Sequence, residues 1–206
     1  MDKAVIFDMD GTIWDAVDQA VIAWDAVMRK AGHEEGMSHE RMQGMMGKTI
    51  QQFAKELFPE LEYERALMIV NECLFDETDI IRDNGAALYG DVRGVFEKIH
   101  AKGYDVAIVS NCQAGYIEAF LDYYDMNDVV DDYEENGRTG LYKADNLKLL
   151  IERNGYKEYF YVGDTQGDMD ACREAGVPFV WASYGFGIAE GYDRKVDSLE
   201  EVVKLL

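Results

Sequence analysis

Lys3-Ala4-Val5-Ile6-Phe7-Asp8-Met9-Asp10-Gly11-Thr12 is the stretch on which the fold turns. Residues 4–7 form an apolar run of strand length, and two carboxylates follow it directly. Carboxylates are rarely buried unless they are paired or bound to a metal. Charge is thus placed where a parallel strand ends, and open α/β sheets bind their ligands at that edge. Residues i and i+2 of an extended chain point to the same side, so Asp8 and Asp10 could share one site. One could attack a substrate while the other moves a proton.

Outward from this stretch the periodicity changes. Val17, Ala20, Val21, Trp24, Val27, Met28 and Ala31 recur at three- and four-residue steps, which predicts a helix of about four turns. A Gly- and Met-rich stretch over 41–49 follows, then a second helix closed by Pro59 and a third over about 60–81. No strand alternation interrupts 14–83, so this segment reads as an all-helical cap inserted into a core made of 1–13 and 84–206. From Asp91 onward helices alternate with strands, at 104–109, 129–130, 159–162 and 178–182. The acidic run 122–135 reads as solvated surface. Ser198 and two glutamates predict a capped terminal helix over 198–206. The alternation predicts an α/β fold, a Rossmann-like parallel sheet with helices on both faces.

Composition narrows the partners. The 206 residues carry 20 Lys+Arg against 41 Asp+Glu, a formal net charge of −21. That balance argues against nucleic acid or an anionic membrane surface. Cys73, Cys112 and Cys172 are odd in number and widely spaced, which suggests a reducing compartment. No run approaches the length of a membrane span. A cytoplasmic protein, monomeric or weakly dimeric, is expected.

Four strand ends carry the chemistry. Asp8 and Asp10 follow the first, Ser110 and Asn111 the second, Lys143 opens the helix after the third, and Asp164 and Asp168 follow the fourth. Strand C-termini of a parallel sheet converge, so these side chains could meet. Several carboxylates, one Lys, one hydroxyl and one amide, without a catalytic His, suit phosphoryl transfer. Clustered carboxylates repel unless a cation lies among them, and hard oxygen ligands favour Mg²⁺. Lys143 would hold the nucleophile and a phosphate oxygen, with Ser110, Asn111 and Met9 as further phosphate-binding candidates. Arg41, Gly47 and Lys48 of the cap could reach the site when a lid closes. Each feature alone has a plainer explanation: Asp-x-Asp as a turn, Ser110-Asn111 as a helix cap, Gly47-Lys48 as a helix corner.

Taken in order, Asp8-x-Asp10-Gly-Thr, Ser110-Asn111, Lys143 and Gly163-Asp164-x-x-x-Asp168 resemble the four motifs of the haloacid dehalogenase (HAD) superfamily, in its phosphatase branch. The resemblance spans essentially the whole chain, and the helical insertion is similar to the family's C1-type cap. It implies that Asp8 is the nucleophile and Asp10 the general acid/base. It also implies Mg²⁺ held by Asp8, the Asp10 backbone carbonyl and Asp164, with Asp168 in direct or water-mediated support. Within the branch, the overall length and the segment 180–187 look most like the phosphoglycolate phosphatases. Ala144 and Asp91 stand where many relatives have Pro, departures that leave the chemistry untouched.

The implied activity is Mg²⁺-dependent hydrolysis of a small phosphorylated metabolite through an aspartyl-phosphate. Dehalogenases of this fold lack the second acid, and phosphonatases replace it with Ala, so Asp10 disfavours both. Phosphomutase relatives carry Thr and His on the first cap helix, where Ala16 and Ala20 stand here. A catalytically idle binding or regulatory protein is the alternative from another class, and the filled catalytic positions disfavour it.

Overall fold

The computed structural model describes residues 2–206. Strand β1 (Lys3–Phe7) leads into a short β2 (Trp14–Asp15). Four helices follow: α1 (Val17–Lys30), α2 (His39–Gln43), α3 (Ile50–Leu57) and α4 (Tyr63–Asn84). After β3 (Ala87–Leu88) come α5 (Val92–Ala101), β4 (Asp105–Ser110), α6 (Tyr116–Tyr123), β5 (Asp132–Glu135) and α7 (Asn136–Thr139). The chain then runs through α8 (Lys143–Asn154), β6 (Glu158–Gly163), α9 (Gln166–Ala175), β7 (Phe179–Ala182) and β8 (Arg194–Val196), and ends in a 3₁₀ turn, Leu199–Leu205.

Six strands form one sheet in the order β5-β4-β1-β6-β7-β8, every neighbouring pair parallel. Side chains of β1 alternate between two apolar layers, as the two-residue period of a strand requires. Val5 and Phe7 join a layer with Val95, Phe96, Ile117 and Phe120. Ala4 and Ile6 join the opposite layer with Leu147, Leu150, Met169 and Cys172. Phe7 pairs with Ile108 on one side and Val162 on the other, so the three central strands end at nearly the same level. That register brings Asp8, Ser110 and Asp164 to one edge.

A third apolar cluster is built wholly from residues between Val17 and Leu74, around Trp24, Phe53 and Phe58. The helical insertion therefore has a core of its own. No helix among the described residues is long and apolar enough to cross a membrane.

Four local expectations are corrected. Trp14–Asp15 is not helical; it pairs antiparallel with Ala87–Leu88, a two-stranded ribbon where the chain leaves and re-enters the core. The strand expected at 129–130 lies at Asp132–Glu135 instead. Val129 enters the core from a turn, while the charged β5 pairs through Ser110 and Glu135. The acidic run is consequently not all solvated. Glu134 is buried between Arg138 and Arg153, and Glu135 accepts the Gly115 N–H at 3.1 Å. The terminal segment is 3₁₀ rather than α, and Ser198 makes no side-chain cap; Glu200 reaches across to the Asp91 N–H at 3.3 Å.

Candidate active site

Lys143 is the first residue of α8, and its ammonium is buried between two carboxylates. It lies 3.0 Å from Asp8 Oδ1 and 2.5 Å from Asp168 Oδ1. Burial lowers the Lys143 pKa, but the Asp168 and Asp8 charges outweigh it and hold the group protonated. Asp168 opens α9 with a capping box: its Oδ2 accepts from the Thr165 N–H and hydroxyl, at 2.9 and 2.7 Å. Burial pushes Asp168 up, yet Lys143 and Thr165 together keep it below its ordinary value. Both Asp168 oxygens are therefore engaged within the protein.

Asp8 differs. Lys143 takes Oδ1, while Oδ2 is buried with no hydrogen-bond partner among the described residues. Burial, then the neighbouring Asp168 charge, raise the Asp8 pKa well above its usual range, with Lys143 opposing. Asp164 receives the Phe186 and Gly187 N–H groups on Oδ2 at 2.8 and 3.2 Å, and only the Thr12 hydroxyl, at 3.4 Å, on Oδ1. Burial and the Asp168 charge push its pKa up to about 7. One oxygen from each of Asp8, Asp164 and Asp168 lies within 4.8 Å of the others. Three buried acids with one lysine leave an excess of negative charge that a hard divalent cation would neutralise.

Two glycines permit this approach. A Cβ on Gly11, at φ +81°, would stand 2.3 Å from Asp164 Oδ2, and one on Gly185 would stand 2.2 Å from the Gly11 carbonyl. Neither position accommodates a side chain without moving the loops that hold Asp164.

Asp10 is placed apart from the three acids. The chain turns after Met9, whose carbonyl accepts the Thr12 and Ile13 N–H groups at 3.1 and 2.8 Å. The Asp10 carboxylate therefore points not along β1 but to Trp14 Nε1 at 3.0 Å and the Tyr116 hydroxyl at 2.7 Å, both on Oδ1. Burial raises its pKa to about 6 against the pull of those two donors. Its carboxylate is thus not one of the clustered oxygens that could hold a metal ion. Met9 buries its side chain in the core, so only its backbone is offered to the site.

Ser110 ends β4 and is buried; Asn111 follows and donates to the Gly47 carbonyl at 2.9 Å. Neither caps a helix, because α6 begins at Tyr116. Gly47 and Lys48 border the space above the strand ends. Arg41 does not. It lines a separate cavity with His33, Glu34 and Glu60, because it stands one residue, about 100° of helix, from the inward-facing Met42. Lys48 is ion-paired with Glu56.

Sequence reasoning missed Trp14, Tyr116 and Thr165, which anchor the acids, and it missed Glu77 and Trp24. Glu77 had a visible signal: with Val70, Leu74 and Ile81 it occupies the buried stripe of α4, where an acid is out of place.

The sequence matches the haloacid dehalogenase-like hydrolase family over residues 5–182. A phosphoglycolate phosphatase of Aliivibrio fischeri (strain ATCC 700601 / ES114) is 24% identical over 217 residues, covering 99% of this chain and 94% of that one. One from Nitrosospira multiformis (strain ATCC 25196 / NCIMB 11849 / C 71) is 26% identical over 220 residues, covering 99% and 95%. Among solved structures, a protein of Bacteroides fragilis described as haloacid dehalogenase-like superposes with a TM-score of 0.87 at 21% identity, covering 98% and 100%. CbbY from Rhodobacter sphaeroides, solved with phosphate, superposes at 0.80 and 16% identity, covering 98% and 96%. With the strand-end motifs and the parallel sheet already in place, the match over most of its length makes this chain a member of the haloacid dehalogenase-like hydrolase family, resembling its phosphoglycolate phosphatases.

Proposed function

We propose that the protein hydrolyses a small phosphate monoester in two steps, through a phosphoryl group carried on Asp8. The observation that carries this is the asymmetry of Asp8: one oxygen is pinned by Lys143 while the other is buried without a partner. A carboxylate oriented by one oxygen has its second oxygen available for in-line attack on phosphorus.

In the first step Asp8 Oδ2 bonds to phosphorus, and the ester P–O bond breaks with its electron pair on the alcohol oxygen. Asp10 supplies the proton that this oxygen takes. In the second step water attacks phosphorus, Asp10 takes its proton, and the bond to Asp8 breaks. A carboxylic acid with a pKa near 6 can run in both directions near neutral pH. Trp14 and Tyr116 hold Asp10 by one oxygen and leave the other for proton transfer. Lys143, Ser110 and the backbone N–H groups of Asn111 and Met9 would receive the phosphoryl oxygens.

The donor set suits Mg²⁺. Asp8, through the oxygen that does not attack phosphorus, and Asp164 Oδ1, which has no close donor, would be direct ligands, with the Asp10 carbonyl beside them. Asp168 would act indirectly, since Lys143 and Thr165 already occupy both of its oxygens. When bound, the ion would screen the repulsion between Asp8 and a phosphate and help neutralise the charge of the transition state. Residues 14–83 would serve as the lid that excludes water, with Gly47 and Lys48 at its closing edge.

The substrate is proposed to be a small cytoplasmic metabolite. A net charge of −21 speaks against nucleic acid or an anionic membrane as partner. The names of the relatives put 2-phosphoglycolate first among candidates by resemblance. Steady-state phosphate release with Mg²⁺ across a panel of phosphate esters, for the wild type and Asp8→Asn, tests the mechanism. Near-normal turnover by the variant would rule it out.

A further inference from the structure

A small pocket of about 40 Å³ lies between the helical insertion and the strand ends, bordered by Asp10 and Tyr116 below and by α3 and α4 above. It has room for roughly three water-sized groups. Its position beside Asp10, the group proposed to protonate the leaving oxygen, makes it the place where the alcohol part of the ester would sit.

The walls are apolar at Met42, Met46, Phe53 and Leu74; Ser110 and Gln113 also border the space, and two further acceptors, Glu77 and Asn111, are under-partnered. Glu77 is 5% exposed, and its carboxyl receives a single hydrogen bond among the described residues, from Trp24 Nε1 at 2.7 Å. Asn111 Oδ1 is buried with no partner, while the same amide's nitrogen is committed to Gly47. The one lysine on the wall, Lys48, has its charge taken by Glu56. The pocket therefore offers acceptors in excess and no free positive charge.

We infer that the pocket selects a leaving alcohol that carries a hydrogen-bond donor and no negative charge, a two- or three-carbon polyol or amino alcohol, and that Glu77 is the residue that selects it. The inference rests on the phosphomonoesterase reading and departs from the substrate that the relatives' names suggest. The carboxylate of 2-phosphoglycolate would be buried beside Asn111 Oδ1 and the Glu77 and Asp10 carboxyls without a cation to receive it, and an unpaired buried charge is costly. A hydroxyl or an ammonium would instead satisfy Asn111 Oδ1 and the Glu77 carboxyl, groups whose isolation is otherwise unfavourable. Sites of this kind discriminate more sharply than apolar ones, because the wrong substrate leaves buried polar groups unpaired.

The experiment measures kcat/KM for phosphate release from the full-length protein with Mg²⁺. The substrates are glycerol 1-phosphate, O-phosphoethanolamine, 2-phosphoglycolate and acetyl phosphate, the last with an activated leaving group. Wild type, Glu77→Gln and Glu77→Lys are compared by the ratio of each donor-bearing ester to 2-phosphoglycolate within one variant, so that general damage cancels. In the wild type at least one donor-bearing ester is expected to exceed 2-phosphoglycolate by roughly tenfold or more. Glu77→Lys is expected to move the ratio towards 2-phosphoglycolate by a similar factor. Glu77→Gln keeps an oxygen for Trp24 and is expected to shrink the ratio, most for phosphoethanolamine if the donor is an ammonium and evenly if it is a hydroxyl. Wild-type turnover of 2-phosphoglycolate as fast as the others overturns the inference, as does a ratio that Glu77→Gln leaves unmoved. Hydrolysis of acetyl phosphate with no such selectivity leaves the phosphatase reading standing and removes this one. Absence of hydrolysis of all four substrates removes both.

Discussion

Asp8 and Glu77 are both buried carboxylates, at 1% and 5% exposure, yet their surroundings are opposite. Asp8 sits among charges: Lys143 at 3.0 Å and two further acids. Glu77 shares a pocket with methionines, Phe53 and Leu74, with one indole N–H and no cation paired to it. Burial, opposed chiefly by that N–H, pushes its pKa up to about 8. In the first environment a lysine opposes the effect of burial, and a cation would complete the neutralisation of the clustered acids. The second disfavours charge and reads a neutral or donor-bearing group. Desolvation acts on both carboxylates, and the partners decide the outcome.

The largest effect expected on this contrast is at Asp8. Asp8→Asn removes the charge of the oxygen proposed to attack while keeping an acceptor for Lys143, and turnover should fall on the order of 10⁴-fold, ~5.5 kcal/mol in the transition state. Single-turnover phosphate release checks it, and the fold, read by circular dichroism, should be retained.

Lys143→Ala comes next. It strands Asp8 and Asp168, both buried, and breaking such a pair should cost about 3–5 kcal/mol. Denaturant midpoints measure the loss, and millimolar Mg²⁺ should recover part of it, because a cation then supplies the missing neutralisation. A variant equally stable with and without the ion contradicts the charge balance described for this site.

Glu77→Gln tests the other side through pH. The folded-state pKa of about 8 lies above the ordinary glutamate value of 4.5, so burial favours the protonated form. Its stabilisation is fully present below pH 4.5 and is lost as pH rises through 8. The wild type should therefore lose about 3 kcal/mol relative to Glu77→Gln between pH 5 and pH 8. A difference in Tm that stays flat over that interval would mean that Glu77 is ionised in the native protein.

The smallest effect is at Trp24. Trp24→Phe removes the single donor to Glu77 and should destabilise by about 1–3 kcal/mol. In a double-mutant cycle with Glu77→Leu, which removes the acceptor, a coupling of ~1 kcal/mol is expected. Additive losses would show that the indole contributes packing alone.

The sequence made the chemistry of the strand ends legible for a definite reason. In a parallel sheet the C-terminal ends converge, so residue types that follow successive apolar runs are brought together whatever the loops do. Asp8, Ser110, Lys143, Asp164 and Asp168 could be assigned to one edge on that ground, and the register of β1 with β4 and β6 places their strands level. Charged β5 was not legible, because its carboxylates are neutralised by Arg138 and Arg153 from later in the chain. Arg41 and Lys48 could not be told apart from their composition, since a helix face decides which of them borders the pocket.

What folding alone decided is how each buried acid is partnered. Asp10 meets Tyr116 across 106 residues, and Glu77 meets Trp24 across 53. Neither pairing leaves a local trace, because a hydrogen bond between distant segments depends on how separate elements pack and not on spacing along either one. The order and kind of the groups proposed to be catalytic were written in the chain, through strand periodicity and the punctuation that follows it. Their protonation, their orientation and the character of the pocket above them depend on burial and on partners that only the packed molecule brings within reach.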